Sequence, residues 1–238
     1  LVHIQTPFVA HYAGLRLARR LGVPCVETYH TFFEEYLFHY LPVLPKSAWR
    51  AVARQFSRRQ CNHLDGLVAP SRAMRDILVQ YGVRTRMRVI PTGIPGGDLP
   101  EGDGAAFRTR HDISHHQPVL VFVGRVAFEK NIEFLLRVTH ELKGATHPDI
   151  VLIIAGEGPA KNRLRRLGST LGLEKNLRFI NYLARSTDLS SCYQVGDAFV
   201  FASRTETQGL VLLGLSVIYM QKVPLRKMCK ISLLSTTL

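Results

Sequence analysis

The chain has 238 residues, enough to bury one large core or two smaller ones, and at 46% hydrophobic residues it should fold. Its 31 Lys and Arg against 18 Asp and Glu leave a formal charge of +13, which favours anionic partners: phosphates, nucleic acid or an anionic membrane surface. Cys25, Cys61, Cys192 and Cys229 form no CxxC pair and no run of about 20 apolar residues occurs, which argues against structural zinc, a disulfide scaffold and a transmembrane helix, and is compatible with a reducing cytoplasm.

Val2-His3-Ile4-Gln5 reads as a short strand ending at Thr6-Pro7. It begins as if in mid-strand, without an initiating methionine. The tail from Val217 to Leu238 mixes basic and apolar residues without clean periodicity, so the chain reads as a fragment. A helix is expected from Phe8 to Leu21, with Arg16, Arg19 and Arg20 near its C-terminus, where they suit the dipole, and Gly22 as its stop. Val23 to Tyr29 is the next strand, with Pro24 at its beginning, and it runs into His30-Thr31-Phe32. The imidazole of His30 at a strand's C-terminal end suits a ligand cleft; a satisfied structural histidine is the other reading. Glu34 to Leu41 is dense in aromatics and acids, and Pro42 and Pro45 interrupt it.

Lys46 to Gln60 is expected to be helical. Trp49, Val52, Ala53 and Phe56 share one stripe, while Arg50, Arg54 and Arg58 recur every four residues on another face with Arg59 beside them. Such a helix suits an anionic membrane interface, or a sheet of its own with the basic face in water. Asp65 to Ala69 is a short strand. Ser71 then caps a helix carrying Ile77, Leu78 and Tyr81, which Gly82 ends, and Met87 to Ile90 is a strand closing on Pro91-Thr92-Gly93. The alternation indicates a parallel sheet with helical crossovers.

Pro95, Gly96, Gly97, Pro100, Gly102 and Gly104 mark a domain boundary. Phe107 to His116 is basic and holds His111, His115 and His116, but no paired acid or cysteine supports a metal site. Val119 to Val123 is continuously apolar, as in a strand buried on both faces, and Gly124 ends it. Asn131 is placed to cap the following helix, with Phe134 and Leu135 on its buried side. The loop between offers Arg125 and Lys130, a fixed guanidinium and a point charge that suit a diphosphate; ordinary surface charges are the alternative.

Ile150 to Ala155 is a second buried strand running into Gly156-Glu157-Gly158-Pro159, where two glycines give a ligand close backbone access. The segment is neither a P-loop nor a complete GxGxxG fingerprint. Lys161, Arg163, Arg165 and Arg166 follow on a helix with Leu164 and Leu167 inward; no aromatic interleaving supports nucleic acid there. Leu177 to Ile180 is a strand, Ser186 to Tyr193 a helix, and Asp197 to Ala202 a strand. After it, Ser203-Arg204-Thr205-Glu206-Thr207-Gln208-Gly209 suits a sugar or nucleotide: Glu206 can accept from hydroxyls, and amides near Gly209 can meet phosphate if a helix begins there.

Gly124-Arg125 with Glu129-Lys130, Gly156-Glu157-Gly158-Pro159 and the Ser203 to Gly209 run, in this order at strand ends, resemble the retaining glycosyltransferase family 4 of the two-domain GT-B fold. Val68-Ala69-Pro70-Ser71 and Val89 to Ile94 also fit its pattern, and the resemblance covers nearly all of residues 1–213. The stretch Tyr29 to Tyr36 is similar to a subgroup, among them diacylglycerol glucosyltransferases and phosphatidylinositol mannosyltransferases, that transfers glucose or mannose to lipids.

The resemblance implies an α/β chain of two Rossmann-like domains facing across a cleft, both incomplete. They are a partial acceptor-side domain at 1–93, a linker and domain entry at 94–118, a partial nucleotide-sugar-binding domain at 119–213 and an atypical tail at 214–238. It implies a retaining transferase moving a hexose from a donor of the UDP-glucose or GDP-mannose type to a lipid or saccharide acceptor. No metal or other cofactor is expected, and the location is cytoplasmic, peripheral on the cytoplasmic face of a membrane.

Carried over by the same resemblance, His30, Arg125, Lys130 and Glu206 are the catalytic residues. Gly124, Arg125, Lys130, Gly156, Glu157, Gly158, Glu206, Thr207, Gln208 and Gly209 line the donor site. The family's second glutamate, which holds the ribose hydroxyls, falls on Gly214, so weak or absent activity is expected of this chain. The competing readings are a GT-B nucleotide-sugar epimerase and a non-catalytic basic module for membrane or, less expected, nucleic acid.

Overall fold

The computed structural model describes residues 1–30, 46–93, 100–183 and 186–203, and the chain divides after Gly93 into two units, each with its own four-stranded parallel sheet. Two Rossmann-like α/β units are therefore present, as the strand–helix alternation indicates. The acidic aromatic stretch Glu34 to Leu41, Gly96 and Gly97, and everything from Arg204 onward lie outside the described residues.

The first unit runs β1 (Val2–Ile4), α1 (Val9–Leu21), β2 (Cys25–Thr28), α2 (Lys46–Cys61), β3 (Gly66–Ala69), α3 (Arg72–Gln80) and β4 (Met87–Val89), with strand order β1-β2-β3-β4. Local chemistry sets the ends. Gly22 takes the left-handed conformation after α1, φ 62°, where a side chain would be strained, and Arg19 and Arg20 sit in that last turn. Ser71 caps α3 by accepting from Met74 N at 3.2 Å.

His11 of α1 bonds Glu27, and Ser57 of α2 bonds the hydroxyl of Tyr29, so both helices cover the face that Cys25, Glu27 and Tyr29 share. The stripe expected on α2 is corrected at one position. Ala53 is buried and Phe56 packs on the core, but Val52 is 49% exposed, while Ser57 and Gln60 are buried in its place. The helix meets the sheet along 53, 57 and 60, and the Tyr29 hydroxyl at 2.8 Å gives Ser57 the partner that makes its burial tolerable.

The second unit runs α4 (Gly104–Arg110), β5 (Val119–Val123), a 3-10 turn (Phe128–Lys130), α5 (Ile132–Ala145), β6 (Val151–Ala155), α6 (Lys161–Thr170), β7 (Leu177–Ile180), α7 (Ser186–Gln194) and β8 (Ala198–Phe199), with strand order β7-β6-β5-β8. The central strands β5 and β6 bury both faces. Phe122, Leu152 and Ile154 meet Leu136 and Leu164 on one side; Val119, Val121, Val151 and Ile153 meet Phe107, Ile113 and Cys192 on the other. Neither face of these strands tolerates a polar residue, hence their unbroken apolar runs.

Asn131 precedes α5 as expected, but its side chain makes no capping bond. It takes the left-handed conformation, φ 53°, which asparagine adopts more readily than most residues, and thereby turns the chain from the 3-10 turn into the helix.

The pair His11–Glu27 is a buried polar contact at the heart of the first unit. His11 is fully buried, and its Nδ1 lies 2.5 Å from Glu27 Oε2. Burial raises the Glu27 carboxyl above its ordinary 4.5, and the bond to His11 opposes only part of that. A carboxyl raised on folding contributes stability that is present below its unfolded pKa and lost as pH rises through the folded one. Relative to Glu27→Gln, the parent chain should therefore lose unfolding free energy as pH climbs from below 4.5 through the raised value. Denaturant titrations at stepped pH measure this, and parallel curves for the two proteins refute it. His11→Ala, which strands the carboxyl, should cost about 3 kcal/mol or more.

Candidate functional site

β5 and β6 end side by side, Val123 opposite Ala155, and the loops after them remain joined beyond the strands. Gly124 N donates to Ala155 O at 3.0 Å, Val126 N to Glu157 O at 2.8 Å, and Ala160 N to Val126 O at 3.0 Å. The glycines make this approach possible. A Cβ on Gly156 would lie 2.0 Å from Gly124 O and one on Gly158 2.3 Å from Val126 O, and both residues hold positive φ, 139° and 155°.

The β5 loop carries Arg125 out from this seam. Its guanidinium pairs with the Glu129 carboxylate; the arginine side chain stays half exposed while that of Glu129 is buried. Glu129 Oε2 is buried without a hydrogen-bond partner among the described residues. The arrangement is an anchored cation: an acid held inside fixes a planar fork on a half-exposed side chain. Lys130, half buried, belongs to the same 3-10 turn as Glu129, and α5 begins two residues later, bringing the positive end of a helix dipole near both cations.

The cations of α6 turn to their own unit. Lys161 Nζ donates to Asn181 Oδ1 at 2.6 Å, Arg163 pairs with Glu133 at 2.7 Å and lies over the Phe128 ring, and Arg165 lies over Phe179. Arg163, Arg165 and Arg166 nonetheless remain exposed, so these contacts lie at the surface.

β8 pairs with β5 on the side away from β6, with Val200 N donating to Val121 O at 2.9 Å. Ser203 therefore leaves the sheet at the same edge as Gly124. Glu206, Thr207, Gln208, Gly209 and Gly214 lie outside the described residues.

Of the residues singled out from sequence, Gly124, Arg125, Lys130, Gly156, Glu157 and Gly158 thus gather at one sheet edge of the second unit. His30 belongs to the first. It follows Tyr29 just past β2, exposed, with Nε2 2.9 Å from Gln5 Oε1. Partial desolvation where the ring meets the protein, and the neighbouring His3, lower its pKa below the ordinary 6.5. Sequence reading missed the burial of Glu129 and the involvement of Gln5. The signal for Gln5 was the period-two pairing of His3 with Gln5 and Thr28 with His30 at the ends of adjacent strands.

His111 lies against Phe107, ring centroids 4.5 Å apart, and its carbonyl accepts from Arg178. Among the described residues no group of three or more His, Cys, Asp or Glu converges as a metal site, and no helix is long and apolar enough to cross a membrane.

Comparison with known proteins matches residues 1–95 to the family model described as Glycosyltransferase Family 4 and residues 104–214 to that described as Glycosyl transferases group 1. The chain is 30% identical over 221 residues to an alpha-monoglucosyldiacylglycerol synthase of Streptococcus pneumoniae, covering 90% of this chain and 48% of the relative. It is 27% identical over 220 residues to the protein of the same name from Acholeplasma laidlawii, covering 88% and 54%. The chain thus spans about half the length of these relatives. Among solved structures, Anabaena HepE in complex with UDP-glucose superposes with a TM-score of 0.72 at 18% identity, covering 91% of this chain and 57% of that one, a likeness of fold.

The glycine seam makes a direct prediction. Gly156→Ala and Gly158→Ala should each lower stability by about 2 kcal/mol or more, because the added methyl meets backbone that cannot step aside. Gly172→Ala is the control: its φ is also positive, 64°, but nothing lies within 4 Å of the added Cβ, so the loss should be nearer 1 kcal/mol. Thermal unfolding of the three variants measures this, and equal losses would refute the close-approach argument.

Proposed function

The chain belongs to glycosyltransferase family 4, and from that premise we propose that it serves to move a hexose, with retention of anomeric configuration, from a nucleotide-diphosphate sugar to a hydroxyl of a membrane lipid. The observation that carries the reading is Arg125, held at the C-terminal end of a central strand by a buried acid, with Lys130 on the same turn. As the bond from the anomeric carbon to the diphosphate breaks, negative charge gathers on the leaving group. Arg125 and Lys130 bind the diphosphate and offset that charge. Gly124, Gly156, Glu157 and Gly158 line the nucleotide, Glu206 with Thr207, Gln208 and Gly209 contacts the donor's sugar and phosphate, and His30 positions the transferred sugar.

The names of relatives support a lipid acceptor, and the HepE complex supports a donor of the UDP-glucose type. GDP-mannose-dependent mannosyltransferases of mycobacteria are also similar, so both donors belong in the test. Gly214 has no side chain with which to hold the ribose, and donor binding is accordingly weak.

Calorimetric titration with UDP, GDP and their glucose and mannose conjugates, beside turnover on diacylglycerol, tests the reading. Lys130→Ala and Arg125→Lys should each weaken nucleotide-diphosphate binding about tenfold or more, the loss of one charge-assisted or bidentate contact. Gly214→Glu should strengthen it by about as much. Binding indifferent to all three substitutions would refute the site.

The finer location is peripheral contact with an anionic bilayer on the cytoplasmic face, through Arg50, Arg54, Arg58 and Arg59 of α2. Arg54 lies over the Tyr81 ring at 5.6 Å, and Arg50, Arg54 and Tyr81 line an open groove of about 570 Å³ with Ser47, Ala51 and Gln55. Because Ala53 and Phe56 pack on the core, the contact is electrostatic at the headgroups, with no insertion of that stripe. Sedimentation with anionic vesicles should exceed that with neutral ones, fall with salt, and fall on replacing the four arginines with glutamine, at up to about 1 kcal/mol per residue. Equal binding to both vesicle types would exclude it.

A further inference from the structure

His30 is held by a relay that begins inside the first unit. His3 pairs in register with Val26 and Ile4 with Glu27, so His3 and Gln5 on one strand and Thr28 and His30 on the next leave on a common face. Thr28 is buried, and its Oγ1 lies 2.8 Å from His3 Nε2. Gln5 Nε2 lies 3.1 Å from both ring nitrogens of His3, and Gln5 Oε1 lies 2.9 Å from His30 Nε2.

The amide imposes a direction on this relay. Its nitrogen only donates and its oxygen only accepts. With Nε2 engaged by His3, the oxygen faces His30, and His30 must carry its proton on Nε2 for that bond to form. Nδ1 is then the acceptor nitrogen. Partial desolvation and the neighbouring His3 both lower its pKa, which favours the neutral ring that an acceptor nitrogen requires.

We propose that Gln5 is the positioning residue for His30: the Thr28–His3–Gln5 relay holds the imidazole in one orientation and in the Nε2–H tautomer, so that Nδ1 accepts a hydrogen bond from a hydroxyl of the transferred sugar. The last clause rests on the role given to His30 above, whereas the relay stands apart from it. A ring that turns over presents a carbon where Nδ1 stood, and the contact is lost; one that exchanges tautomers presents an N–H, to which the hydroxyl can only accept, so the direction the sugar must adopt is reversed. The relay thus acts on the hexose and leaves the nucleotide untouched.

Long-range nitrogen–proton spectra of the ¹⁵N-labelled chain, with the His30 signals assigned through His30→Gln, test the relay without any turnover. The parent should show Nδ1 and Nε2 well separated, as in a pure Nε2–H ring. In Gln5→Leu the two shifts should draw together as the second tautomer fills. His3→Ala, which withdraws the preceding link, should cause the same drift as Gln5→Leu, and backbone amide spectra establish that each variant is folded. Titration with UDP-glucose and with UDP supplies the second readout: Gln5→Leu should weaken UDP-glucose about fivefold, the worth of one neutral hydrogen bond, and leave UDP unchanged. His30 shifts indifferent to both Gln5→Leu and His3→Ala overturn the proposal. Shifts that move while UDP-glucose affinity stays constant uphold the positioning role and overturn the sugar contact assigned to His30.

Discussion

The second unit depends on one close approach, that of the Gly156 and Gly158 backbone to the carbonyls of Gly124 and Val126. With the loops after β5 and β6 in direct contact, three backbone hydrogen bonds continue past the strands, and the β5 loop acquires a rigid backing. The 3-10 turn at Phe128–Lys130 comes next in the chain and carries Glu129 inside, four residues from the half-exposed Arg125. An acid buried with one oxygen lacking a described partner is costly unless the ion pair is well made. The cost is tolerated because it fixes a guanidinium at the end of a fully buried strand, where a mobile side chain would lose entropy on each binding event.

The large positive charge is spent differently in the two units. On the second, Lys161, Arg163 and Arg165 engage Asn181, Glu133 and the rings of Phe128 and Phe179 at the surface. On the first, arginines gather along α1 and α2, the two helices that cover one face of the sheet. Arg16, Arg19 and Arg20 line a groove with Tyr12, Leu15 and His63, as Arg50 and Arg54 do with Tyr81. Part of the charge is thus paired within its own unit and part lines grooves, and a whole-chain figure of +13 does not distinguish them.

The opposite face of the same sheet works by hydrogen bonds. Thr28, His3, Gln5 and His30 follow one another along it. On the helix side the buried His11–Glu27 pair joins α1 to β2. One strand thus uses its two faces for two polar devices, an internal tie through Glu27 and a surface relay through Thr28.

Much of the fold was legible from residue order because the features that encode it are local. Continuous apolar runs declared β5 and β6, Ser71 declared the start of α3, and Gly22 and Gly82 declared the ends of their helices; each depends on a few neighbouring residues and on backbone conformation. The motif order likewise pointed to the edge where Gly124, Arg125, Lys130 and Gly156 to Gly158 collect, since strand ends are where α/β folds bind ligands. What residue order left open was which polar groups meet. The exposure of Val52 and burial of Ser57 depend on where Tyr29 places its hydroxyl, a residue 28 positions away. The conformation of Asn131 depends on the turn before it, and the support of His30 depends on Gln5, 25 residues earlier on a neighbouring strand. The sequence by itself determined the elements, their alternation and the chemistry at the strand ends, because periodicity, capping and glycine act within a turn or a strand. The burial of Glu129, the glycine seam and the relay to His30 were decided by tertiary structure alone, because each is a contact between segments that only strand register and helix packing bring together.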